Sequence, residues 1–150
     1  MKRMLLVLTV ALIAAVAGVA VAWKFGFGRG EVPVDVAPAI AALHAHFAAQ
    51  GIGSDVYRVK NMSSHAETRA LFSLRQSGKP TFFVYACRNA AGAARQLEDL
   101  QKSSPQTRPE SNGSLVMNVS ENPDDPVFET VRRSFRTYRE GMSTVPPTGR

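Results

Sequence analysis

Thr81–Cys87, TFFVYAC, is the stretch on which the fold turns. Seven residues run without a charge, and three of them are aromatic. A short continuous apolar run bounded by turn residues suits a central strand buried on both faces. Ser77-Gly78-Lys79 precedes it and reads as a tight turn. Before the turn, Arg69–Gln76 reads as a second strand, clearest from Leu71, with Ala70, Phe72 and Leu74 inward. The two runs make a β-hairpin. The period-four spacing of Ala66, Ala70 and Leu74 offers a helix as a rival, and the turn favours the strand.

Downstream, Asn89 is placed to cap a helix whose stripe is Ala90, Ala93, Leu97 and Leu100. Glu98 and Lys102 lie four apart on it, a favourable pair. Ser103–Gly113, SSPQTRPESNG, has no apolar residue and two prolines, so it reads as a solvated loop. Ser114–Ser120 follows as a strand with Leu115, Met117 and Val119 inward. Asp125 caps the last helix and Pro126 occupies its first position. Phe128, Val131, Phe135, Tyr138 and Met142 repeat at helical spacing, and Gly141 marks the end.

Upstream, Asp55–Lys60 alternates as a strand with Tyr57 and Val59 on one face. Val36, Ile40, Leu43 and Phe47 form one helical stripe, opened by Asp35 and closed by Gly51. His44 and His46 fall on opposite flanks of that stripe and cannot share a metal. The expected fold is α+β: a small sandwich with a mostly antiparallel sheet of about four strands and helices on one face. Its general shape resembles the ferredoxin-like plait, an analogy many functions share.

Met4–Trp23, MLLVLTVALIAAVAGVAVAW, has no charge. Twenty helical residues at ~1.5 Å each span about 30 Å, the thickness of a hydrocarbon core. Ten of them are Leu, Ile or Val; at roughly −0.3 to −0.6 kcal/mol each they favour insertion by at most about 6 kcal/mol. Lys2 and Arg3 keep the N-terminus in the cytoplasm, and Lys24 and Arg29 weaken that asymmetry. Residues 1–24 are therefore expected as a signal anchor and residues 25–34 as a Gly-rich linker. Residues 35–142 are expected as the globular domain, and residues 143–150 as a disordered tail. Ala20-Val21-Ala22 also fits a signal-peptidase site. Anchor and cleaved peptide send the domain to the same side, outside the cytoplasm; cleavage after Ala22 leaves it secreted or periplasmic.

The net charge of +6 does not point to nucleic acid. Outside Lys2, Arg3, Lys24 and Arg29, 14 Lys and Arg stand against 12 Asp and Glu. Cys87, the one cysteine, excludes an internal disulfide. It ends a strand two residues before a helix cap, where the helix N-terminus and Arg88 could lower its pKa, and His65 could serve as its base. The bland alternative is a small buried hydrophobe. Arg132, Arg136 and Arg139 share a face of the last helix and are a candidate contact for an acidic partner or anionic headgroups. The three histidines fit no zinc spacing, and neither a metal nor a cofactor is expected.

The leading functional expectation is a membrane-anchored, non-catalytic envelope domain, held in the membrane by residues 4–23, that binds a protein partner. The alternatives are a Cys87-dependent enzyme or redox protein and a small-ligand or lipid-binding domain. The last would be walled by Phe82, Phe83, Tyr85, Phe128, Phe135 and Tyr138.

Overall fold

The computed structural model describes residues 36–141. The anchor over 1–24, the linker over 25–34, the Asp35 cap, Met142 and the tail over 143–150 lie outside the described residues. Among those described, no helix is long and apolar enough to cross a membrane.

The domain is α+β. Three α-helices, α1 (Pro38–Ala49), α2 (Ala90–Ser103) and α3 (Pro126–Thr137), accompany one antiparallel five-stranded sheet. Its strands are β1 (Ser54–Val59), β2 (Ala66–Leu74), β3 (Thr81–Cys87), β4 (Glu110–Asn112) and β5 (Leu115–Asn118). The spatial order is β1-β2-β3-β5-β4. The described residues thus open on a helix and lay down three consecutive strands, unlike the β-α-β-β-α-β succession of the plait.

The run 81–87 is the central strand and is buried on both sides. Phe82, Val84 and Ala86 enter the main core with Ala70, Phe72 and Leu74 of β2 and Leu115 and Met117 of β5. Ile40, Leu43 and Phe47 of α1 and Phe128, Val131 and Phe135 of α3 close that core. Phe72 and Phe82 stack with ring centroids 5.0 Å apart, and Phe47 meets both edge-on at 5.9 and 6.0 Å. Such pairs add about 0.5–1.5 kcal/mol each beyond area burial.

Tyr85 and Cys87 face the other way, into a smaller cluster with Ala66, Val116, and Ala93 and Leu100 of α2. Helices therefore cover both faces of the sheet, not one. The physical reason lies in β3 itself: side chains alternate across a strand, so a run apolar at every position needs a cover on each side.

Residues 103–113 are not the plain solvated loop that their composition suggests. This segment carries a 3-10 turn at Pro105–Thr107 and then β4, which raises the sheet to five strands. Gly113, at φ +58, turns β4 into β5. Three polar residues, Glu110-Ser111-Asn112, suffice for an edge strand because pairing uses the backbone. Asn112 then secures the end of α3, its Nδ2 donating to the carbonyls of Phe135 (2.6 Å) and Tyr138 (2.9 Å).

The cap signals of α2 and α3 hold, whereas α1 starts after Ala37, which offers no side-chain cap. Asn89 Oδ1 accepts from the Gly92 N–H at 2.9 Å, and Asp125 Oδ1 from the Val127 N–H at 3.0 Å. Gly51, after α1, is at φ +76. The final helix stops at Thr137, one turn short of its periodicity, yet Tyr138 stays buried in the core.

Candidate functional site

Cys87 sits at the end of β3, paired with Ala66 of β2, its N–H bonded to the Ser114 carbonyl at 2.9 Å. It is 6 % exposed. Asn61–His65 folds over this corner: Asn61 Nδ2 donates to the Ala66 carbonyl at 2.5 Å, and Ser63 Oγ bonds Gln96 of α2. Gly92 faces both Cys87 and the His65 carbonyl; a Cβ there would lie 3.4 and 3.5 Å from them. The topology thus brings His65 to the neighbourhood of Cys87, but the imidazole is committed elsewhere, with Nε2 3.2 Å from Asp99 Oδ2. Arg88 Nε is 3.2 Å from Glu67. Burial pushes the Cys87 thiol up, and the nearby Glu67 carboxylate adds to the rise. The expected lowering by Arg88 and the helix start is outweighed, and the thiol stays protonated at neutral pH.

The arginine set of α3 divides. Arg132 is 4 % exposed and points inward. Its Nη1 donates to the Arg108 carbonyl at 2.6 Å and to Glu110 Oε1 at 2.9 Å. Arg136 grips the same carboxylate with two bonds, Nε to Oε2 at 2.9 Å and Nη2 to Oε1 at 2.7 Å. Burial alone would raise the Glu110 carboxyl, but the hydrogen bonds from Arg136 and Arg132 prevail and hold it below the usual value. Arg108 completes the set at 2.5 Å from Asp124. Arg132 and Arg136 thus fasten β4 to α3 through Glu110, while Arg139 lies beyond the end of α3, off the helix face expected to carry it, is exposed and makes no ion pair among the described residues.

His44 and His46 are boundary residues, donating through Nε2 to the carbonyls of Ser54 (2.9 Å) and Ser134 (3.0 Å). Phe82, Phe128, Phe135 and Tyr138 pack in the main core, whereas Phe83 and Tyr85 lie on the opposite side of the sheet. Among the described residues no group of acidic, His or Cys side chains could hold a metal ion.

A second surface is built by residues that the sequence did not single out together. On the face covered by α2, the cross-strand register sets Tyr57, Leu71 and Phe83 in one row and Val59, Arg69 and Tyr85 in the next. The helix packs on β3, β4, β5 and the start of β2. Towards β1 the same face is open: Tyr57 is 52 % exposed, and Leu71 and Phe83 are half-buried. Arg69 lies over Phe83, its guanidinium carbon 3.8 Å from the ring centroid and 5.3 Å from that of Tyr85. Alternation put Tyr57 and Val59 on one face of their strand; the register that joins Tyr57 to Phe83 was the missing information.

No family model, curated protein or solved structure matches the chain. The surface chemistry of the domain carries the functional reading by itself.

Proposed function

We propose that the chain is a membrane-anchored, non-catalytic domain that faces the periplasm or the exterior and binds a protein partner, as an accessory part of an envelope assembly. The uncharged run 4–23 supports the anchoring. The observation that carries the binding is the open row Tyr57–Leu71–Phe83, beside the sheet edge that β1 leaves unpaired. Half-exposed aromatic and aliphatic side chains in a contiguous row gain by being covered, and Tyr combines apolar area with a polar tip that tolerates water when free.

The test uses the full chain, tagged after Arg150 and recovered from detergent-solubilised membranes. A discrete protein should co-purify above a control carrying the anchor alone. Tyr57→Phe should keep it and Tyr57→Glu should lose it. Absence of any partner, or a partner indifferent to Tyr57→Glu, contradicts the reading. For the location, a reporter fused at Arg150 should be active outside the cytoplasm; activity confined to the cytoplasm reverses the orientation.

A further inference from the structure

The β1–β2 ladder ends at the pair Val59↔Arg69, and a cleft of ≈ 430 Å³ opens there. Arg58, Val59, Lys60, Asn61, Glu67, Thr68 and Arg69 line it. Its charge is lopsided. Glu67 is the one carboxylate, and Arg88 engages it at 3.2 Å. Lys60 and Arg69 have no ion-pair partner among the described residues. Two polar atoms at the wall, Arg69 Nε and Thr68 Oγ1, are shielded from solvent and lack a hydrogen-bond partner.

The Arg69 guanidinium is also held in place, stacked on Phe83. A fixed planar fork is the group that binds carboxylates with two parallel bonds and loses little entropy in doing so. Beside it runs the outer edge of β1, paired to β2 alone, with the Ser54 carbonyl at its far end taken by His44 and the stretch towards Val59 next to the cleft. An open edge takes an added strand through backbone hydrogen bonds, and side-chain sites next to it select the sequence of that strand.

Resting on the partner-binding reading, we propose that this corner receives an extended acidic peptide segment: the segment adds along β1, and one of its carboxylates is taken by Arg69 and Lys60. The charge of the cleft and the adjoining strand edge together select the ligand. A single-stranded nucleic acid stacks successive bases on a run of free aromatic faces; here Tyr57 offers one open ring, while Arg69 covers that of Phe83.

Fluorescence anisotropy with the full chain in detergent micelles tests it. The probes are a labelled peptide alternating valine and glutamate, its valine–glutamine counterpart and a single-stranded oligonucleotide. The glutamate peptide should bind roughly 10-fold or more tighter than the glutamine peptide, the usual worth of a charge-assisted hydrogen bond. Arg69→Gln should remove that preference, Arg69→Lys should keep part of it, and Arg139→Gln should leave it intact. Lys60→Gln, at an exposed position, should weaken the glutamate peptide without touching the fold. Equal binding of the two peptides, indifference to both Arg69→Gln and Lys60→Gln, or tighter binding of the oligonucleotide overturns the inference. Should the peptides fail to discriminate while co-purification still depends on Tyr57, this inference falls and the partner-binding reading stands.

Discussion

Cys87 shows how one residue's chemistry is decided by its surroundings. Its position before the capped start of α2 favours a thiolate, but the side chain is turned into the cluster with Ala66, Ala93 and Leu100. Desolvation dominates, and the carboxylate of Glu67 acts in the same direction. The raised thiol has a consequence for stability. The folded state keeps its proton where the unfolded state, near 9.0, has released it. Stability therefore falls as pH rises above that value, and Cys87→Ala should flatten this part of the alkaline profile. At neutral pH a thiol reagent should label the native chain far more slowly than the denatured chain. Labelling of the native chain at the free-thiol rate contradicts this assignment. Arg69 is the opposite case. Nothing in the sequence distinguishes it from other strand arginines, because its role comes from Phe83, fourteen positions away in sequence and next to it only through the β2–β3 register.

At the scale of elements, Glu110 joins the weakest strand to the strongest helix. β4 has three residues and no apolar side chain, so its hold on the domain comes from pairing to β5 and from Arg132 and Arg136. Glu110→Gln leaves the buried Arg132 without its counter-charge. Breaking a fully buried pair costs ~3–5 kcal/mol, an upper bound here because Glu110 keeps some exposure. Because the folded pKa of Glu110 lies below its ordinary 4.5, the wild-type advantage is full above that value and disappears as pH falls through the folded one. Thermal melts should show the two proteins converging on acidification; a gap unchanged down to strongly acid pH contradicts the electrostatic clamp. This network also marks where sequence reading stopped. β1, β2, β3, β5 and all three helices follow from periodicity and caps, which are local. β4 has no period to read, and an arginine stripe at helical spacing looks the same whether it faces water or a buried carboxylate. The double cover of the sheet was missed, helices being expected on one face, although TFFVYAC, apolar on both sides, carried the signal for a cover on each.

For the whole molecule, the positive charge distributes in a telling way. Lys2, Arg3, Lys24 and Arg29 flank the apolar run 4–23, the arginines of α3 are largely spent on Glu110, and Lys60 and Arg69 remain beside the open edge of β1. One side of the domain is thus closed by α1 and α3, while the other is closed by α2 only as far as β3 and the start of β2. The account places the partner on that remaining corner. The most direct measurement is site-specific photo-crosslinking in intact membranes, with a photoreactive phenylalanine analogue at Tyr57 and, separately, at Arg139. The account predicts a discrete protein adduct from position 57 and a weaker one or none from position 139. No adduct from 57, or an adduct from 139 of equal strength, would contradict it.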